Sequence, residues 1–332
     1  MKKPIIKIKQ LSLHYPQYTS LLRRPKEGVR AVNDINLTIF RGESLGLVGE
    51  SGCGKSTLGK TLIRFYKPTS GNILYYPEQQ KPIDITHMTP NQLKKATVRQ
   101  KFQMLLQDHS TAMNPRMTIK NIILEGICSQ FSKPKMKMKD EILSCLMQVG
   151  LNETHLNRFP HEFSGGQRQR ICIARVLSVK PDFIVLDEPS SALDVSVQAQ
   201  ILLLLNEIRE KTKITYLFIT HNLLILKYVC TRVVVMYLGK IVEIIDVNRL
   251  FNESQHPYTL TLINSVPDLD SQNIITPPKG EVAYPSGNPT GCVFYRRCRS
   301  ATQKCHQSNP SLQEISANHW VSCHQLFKKT TI

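Results

Sequence analysis

Residues Ile35-Asn36-Leu37-Thr38-Ile39 alternate apolar with polar side chains, the period of an antiparallel strand with one buried face. Ser44 to Val48 is instead an apolar run that stops at Gly49, which predicts a strand buried on both faces and feeding a loop. From Lys55 to Phe65 there is no Pro and little Gly, and Leu58, Leu62 and Phe65 recur near helical spacing, so the loop opens a helix. Phe183 to Leu186 predicts a second buried strand, ending in Asp187-Glu188, and Tyr216 to Ile219 a third, ending at His221. Between them Val197, Ile201, Leu204, Leu205 and Ile208 trace an amphipathic helix. Parallel strands whose carboxyl ends carry polar residues converge on a crevice, where open α/β sheets bind ligands.

Two further helical recurrences, Ile119, Ile122, Ile123 and Ile127, then Ile142, Cys145, Leu146 and Val149, predict a small helical subdomain. The basic, Pro-interrupted stretch Phe131 to Lys139 reads as their surface link. Beyond about Leu250 the regularity fades, and Pro267, Pro277, Pro278, Pro285 and Pro289 mark a looser appendage. The apolar runs Ile201 to Leu205 and Val233 to Leu238 fall far short of the roughly 20 residues that span a bilayer, so a membrane role is expected to be peripheral. Pro4 to Leu13 alternates and offers no continuous signal-peptide core.

A length of 332 residues suits one large domain with a smaller appendage. The formal charge of +18, from 43 Lys plus Arg against 25 Asp plus Glu, favours an anionic partner without choosing among nucleotide, nucleic acid and acidic membrane. Nine cysteines are too scattered for a secreted disulfide scaffold, yet Cys292, Cys298, Cys305 and Cys323 crowd the end of the chain.

Gly49-Glu50-Ser51-Gly52-Cys53-Gly54-Lys55-Ser56-Thr57 matches G-x-x-x-x-G-K-[ST] between a predicted strand and helix, the context that identifies a phosphate-binding loop. Its glycines let backbone N–H groups close around phosphates, Lys55 sets a cation on the β and γ groups, and the Ser56 hydroxyl suits Mg²⁺. Asp187 ends a buried strand, where a carboxylate can hold the Mg²⁺ water shell, and Glu188 beside it can polarise an attacking water.

Phe163-Ser164-Gly165-Gly166-Gln167-Arg168 resembles the signature loop of ATP-binding cassette proteins, with Phe163 where the family usually has Leu. It opens a predicted helix through Ile171, Ala174 and Leu177, and a helix N-terminus suits an anion. The resemblance implies a P-loop NTPase of the cassette type, an α/β fold with an antiparallel β subdomain and a helical subdomain at about 108–178. It implies that ATP and Mg²⁺ are bound and hydrolysed. It also implies that Ser164, Gly165, Gly166 and Gln167 complete the site of an opposing cassette in a head-to-tail dimer. Gln107 resembles the Q-loop residue at the Mg²⁺, Ser191-Ala192-Leu193-Asp194 the D-loop, and His221 the switch histidine at the γ-phosphate. Tyr15 resembles the aromatic that stacks on adenine.

Ser110 to Thr118, His256-Pro257-Tyr258-Thr259 followed by Leu262 and Val266-Pro267, and Gly291-Cys292-Val293-Phe294 with Arg297-Cys298, Cys305, Pro310-Ser311-Leu312 and Cys323 resemble stretches of the dipeptide and oligopeptide importer cassettes. The chain then divides into a nucleotide-binding domain at 1–250 and a C-terminal extension of the oligopeptide-transporter type at 251–332. The resemblance implies two transmembrane permease subunits docking around Gln107 to Ile123, a second ATPase subunit in a heterodimer, an extracytoplasmic solute-binding protein acting indirectly, and a place on the cytoplasmic face of the inner membrane. Nickel, glutathione or antimicrobial peptides stand as alternative cargoes. A soluble cassette ATPase on nucleic acid is disfavoured, because neither a long coiled coil nor a second cassette appears between Gly49 and His221. The cysteines read C-x₅-C-x₆-C-x₁₇-C; four thiolates suit [4Fe–4S] or Zn²⁺, and some importers of this group carry a cluster on such a pattern, with free thiols as the third reading. Arg296, Arg297 and Arg299 read either as offsetting a cluster's charge or, more simply, as a solvated basic loop.

Overall fold

The computed structural model describes residues 2–17, 26–106, 113–130, 138–191, 193–266 and 290–326. The chain forms two compact units, one of Pro4–Ile39, Ser44–Thr86 and Ile219–Ile332, the other of Met1–Lys3, Phe40–Glu43 and His87–Phe218.

In the first unit, β1 (Pro4–Gln17), β2 (Lys26–Phe40), β4 (Ser70–Tyr75) and β5 (Ile83–Asp84) form a sheet in the order β2-β1-β4-β5. The antiparallel register sets Ile6 opposite Tyr75 and Ile8 opposite Ile73, and all four side chains are buried, as the period-two pattern requires. A second sheet in this unit centres on β3 (Ser44–Val48), every residue of which is buried. It lies parallel to β9 (Arg232–Tyr237), and β10 (Lys240–Asp246) returns antiparallel along β9. The helix after the glycine loop, α1 (Lys55–Leu62), is one turn shorter than its apolar spacing suggests. Arg64 takes φ 60°, which ends the helix and leaves Phe65 66 % exposed.

The described residues of the appendage include regular elements that its sequence does not announce. After α10 (Pro257–Asn264), two short strands, β11 (Gln313–Ser316) and β12 (His319–Val321), join the sheet with Glu243 opposite Val321 and Ile244 opposite Trp320. Strands of three and four residues are too brief to show a period.

In the second unit β6 (Phe102–Leu105) pairs parallel with β7 (Phe183–Asp187), Phe102 opposite Phe183, and β8 (Thr215–Ile219) follows β7. Helices α4 (Ile119–Gln130) and α5 (Lys139–Gln148) both pack on α6 (Gly165–Leu177), with Ile123, Ile127, Ile142 and Leu146 buried. The amphipathic α7 (Val195–Thr212) buries Ile201, Leu204, Leu205 and Ile208. Gln107, Ser110 to Ala112 and Phe131 to Lys137 lie outside the described residues, as do Ala192 and the prolines from 267 to 289.

Candidate functional site

The turn from β3 into α1 is made by backbone that only glycine tolerates. Gly54, the residue before α1, has φ 107°, and a Cβ there would strike the carbonyl oxygen of Ala31. Inside the loop the buried Lys55 folds back, its Nζ donating to the carbonyl oxygens of Gly49 at 2.7 Å and Glu50 at 2.9 Å. Cys53 is buried 3.8 Å from the same Nζ, and burial pushes its thiol up. Ser51, Gly52, Ser56 and Thr57 complete the loop and the first turn of α1. Tyr15, at the end of β1, stands over this turn: its Oη lies 3.4 Å from the Thr57 hydroxyl and its ring meets Tyr66 edge-on at 5.9 Å. His221 is exposed, one residue before Asn222, which caps the short α8 (Leu223–Val229).

The remaining sequence-predicted residues belong to the second unit. Asp187 ends β7 and is buried, and Glu188 follows with φ 48°, a left-handed backbone that glutamate seldom adopts. Ser191 donates from its N–H and hydroxyl to the Glu188 carbonyl, at 3.3 and 3.2 Å, which holds that turn. The Ser-Gly-Gly-Gln stretch closes on itself. Ser164 is the N-cap of α6 and accepts from the Gln167 N–H at 3.3 Å, while the Gln167 side chain accepts from the Ser164 N–H at 3.1 Å. Gly165 and Gly166 are thereby the first residues of a helix, with N–H groups that have no intrahelical acceptor. Asp194 precedes α7, and Gln198 donates to its carbonyl.

The chain's relatives give this constellation its family. Residues 32–191 match the family model described as ABC transporter, and residues 242–305 that described as oligopeptide/dipeptide transporter, C-terminal region. The oligopeptide transport ATP-binding protein AppF of Bacillus subtilis (strain 168) is 40 % identical, with 97 % of this chain and 98 % of that protein aligned. The chain belongs to the ABC transporter ATPases. Within them it carries the oligopeptide/dipeptide C-terminal region. OppF of the same organism is 44 % identical over 80 % of this chain and 84 % of that protein. Among solved structures, the dimeric post-hydrolysis state of the cassette MJ0796, bound to ADP and Pi, superposes with a TM-score of 0.61 at 26 % identity, covering 73 % of this chain and 99 % of that one. CbiO1 of Clostridium perfringens gives 0.63 at 27 % identity, covering 76 % and 92 %. No helix among the described residues of this ABC ATPase is long and apolar enough to cross a membrane.

Sequence reasoning missed the residues of the C-terminal extension that reach the glycine loop. Tyr258, fully buried, accepts from the Glu50 N–H at 2.7 Å. Arg297 grips the Glu50 carboxylate with two bonds, Nη1 to Oε2 at 2.7 Å and Nη2 to Oε1 at 3.0 Å, and its side chain is 8 % exposed. The reading of Arg297 as part of a solvated basic loop is therefore corrected. The extension is itself anchored on buried Glu243, which accepts from the N–H groups of Gln255 and His256 and pairs with His319 Nε2 at 2.7 Å. The signals of this arrangement in the sequence are the Arg297-Cys298 and His256-Pro257-Tyr258 stretches of the importer resemblance; His256 caps α10 and Pro257 opens it.

Cys292, Cys298, Cys305 and Cys323 line one small cavity beside Phe294, Tyr295 and His324. Burial pushes the Cys292 thiol to about 11 and raises those of Cys298 and Cys323. Among the described residues, no three His, Cys, Asp or Glu side chains stand close enough to hold a metal ion.

Proposed function

We propose that this ABC ATPase drives uptake of dipeptides or oligopeptides through a pair of permease subunits, at the cytoplasmic face of the membrane. The observation that carries this reading is the union in one chain of a cassette match at 32–191 and the oligopeptide/dipeptide C-terminal region at 242–305. The nucleotide-binding domain is taken as 1–250, with 251–332 as the extension. ATP stacks on Tyr15 and lies along Gly49 to Thr57, with Lys55 leaving the two loop carbonyls to meet the β- and γ-phosphates. Ser56, Asp187 and Gln107 would hold Mg²⁺, which would supply positive charge toward the phosphates, while Glu188 orients and deprotonates the attacking water and His221 contacts the γ-phosphate. Ser164, Gly165, Gly166 and Gln167, with Asp194 nearby, face the nucleotide of a second, non-identical cassette. The dimeric state of MJ0796 supports a cassette dimer by analogy.

The N–H groups of Gly165 and Gly166, without intrahelical acceptors at the start of α6, support an anion there, and the buried Asp187 beside a strained Glu188 supports a metal and water site. Removing a positioned general base costs on the order of 10²–10⁴ in rate. Glu188→Gln is therefore expected to keep MgATP affinity and lose turnover by that factor in the assembled transporter. Turnover within threefold of wild type would remove Glu188 from the mechanism.

The four cysteines form the finer part of the proposal. Their donor chemistry suits an iron–sulfur cluster or Zn²⁺, and their convergence on one cavity supports it. Such binding releases thiol protons and strengthens with pH. Iron, sulfide and zinc analysis after anaerobic purification tests it, and finding none of the three ends the metal reading.

A further inference from the structure

Glu50 is held from two sides. Lys55 Nζ takes its carbonyl oxygen, while the C-terminal extension takes its N–H through Tyr258 and its carboxylate through Arg297. Arg297 lies over the ring of Tyr237 at 5.8 Å and donates to its hydroxyl at 3.3 Å, and Tyr237, Tyr258 and Phe294 pack mutually with centroids 4.6 to 5.4 Å apart. The backbone around Arg297 is equally fixed, since Arg297 and Cys298 both donate to the Phe294 carbonyl at 3.0 Å. A guanidinium with two bonds to one carboxylate, lying over the Tyr237 ring, leaves the first turn of the loop little freedom.

We propose that Arg297, supported by Tyr258, is a positioning residue for the phosphate loop, so that the C-terminal extension sets this chain's affinity for MgATP. The proposal rests on the reading of Gly49 to Thr57 as the ATP site. Two physical effects act in the same direction. A loop already in its anion-binding shape pays less ordering entropy when ATP arrives. The Glu50 carboxylate sits within the loop that must accept phosphate, and Arg297 neutralises it; without Arg297 an uncompensated negative charge repels the nucleotide. Both effects are felt by bound ATP and by the transition state alike, so they move affinity and leave the rate of the bound complex largely alone.

The test uses the full chain for MgATP binding, with a fluorescent ATP analogue, and the assembled transporter for turnover. Arg297→Met is expected to weaken MgATP binding and raise KM about tenfold, the scale of a lost charge-assisted pair, with kcat within about twofold. Arg297→Lys, which restores the charge without the fork, is expected to fall between. Glu50→Gln combined with Arg297→Met is expected to bind ATP more tightly than Arg297→Met alone, because the uncompensated charge is gone. A folded Arg297→Met with wild-type affinity overturns the proposal, and so does a fall in kcat at unchanged KM or a double variant no better than the single one. Should Arg297→Met fail to fold, Tyr258→Phe and Arg297→Lys carry the same expectation, and wild-type affinity in both overturns it. Lys55→Ala is measured alongside: retention of ATP binding there discards the ATP-site reading itself, whatever Arg297 does.

Discussion

The glycine loop and the signature loop are both small-residue turns that open a helix, yet they are held in opposite ways. The signature loop is self-contained: Ser164 and Gln167 cap each other three residues apart, and α6 follows without a single left-handed residue at its start. The glycine loop depends on distant chain. Its Gly54 fits only because the Ala31 carbonyl meets no Cβ, and its Glu50 is fixed by partners 208 and 247 positions away. A loop held locally forms as soon as its helix does, whereas a loop held remotely reports on the folding of every element that holds it.

The sharpest way to break this comparison is to add one methyl group to each loop. Gly54→Ala places a Cβ on the Ala31 carbonyl at φ 107°, and backbone cannot step aside. A loss of roughly 3 kcal/mol or more is expected, with ATP binding abolished. Gly165→Ala meets only the Cδ2 end of Leu193, at an ordinary contact distance of 3.4 Å and at helical backbone angles, and gains helix propensity of up to about 1 kcal/mol. Its stability is expected to stay within about 1 kcal/mol of wild type. Chemical denaturation of both variants checks the pair, and equal losses would show that the two loops are not differently held.

Acid probes the remote support directly. Burial holds the His256 imidazole down to about 4 against 6.5 for the free side chain, with Glu243 opposing that fall. Below pH 6.5 the unfolded chain therefore binds a proton that the folded extension refuses. Stability from His256 is complete above pH 6.5 and is lost progressively as pH falls toward 4, by up to roughly 3 kcal/mol. His256→Asn retains a cap acceptor without the titration, so the difference in melting temperature between the two proteins should shrink or reverse from pH 7 to pH 4. A constant difference across that range would mean that His256 does not link the extension to pH.

The same contrast explains what the sequence could disclose. Ser44 to Val48 and Phe183 to Leu186 were legible because a strand buried on both faces is mostly apolar, and both are fully buried. Ser164 to Gln167 reads as a helix start through its resemblance to a signature loop, and the capping pair that makes that start lies only three residues apart. Phe65 misled because its apolar spacing continued past Arg64, where the backbone turns left-handed. Arg297 was read as solvated because nothing near it in sequence reveals a carboxylate 247 positions earlier. Strands β11 and β12 were hidden for the same reason, since Gln313-Glu314-Ile315-Ser316 becomes a strand only by pairing with β12, which in turn pairs with β10.

The smallest expected effect is the most discriminating for the self-contained loop. Ser164→Ala removes the acceptor for the Gln167 N–H and leaves the rest of α6 unchanged, with Ile171, Ala174 and Leu177 still buried. An N-cap serine replaced by alanine typically costs about 1 kcal/mol, and the exposed position lets water take over part of the lost bond. Urea unfolding should register that loss with an unchanged slope, because no additional surface opens. A loss near that of Gly54→Ala would mean that the signature loop, too, leans on structure beyond its own capping pair, and the distinction between the two loops would fall with it.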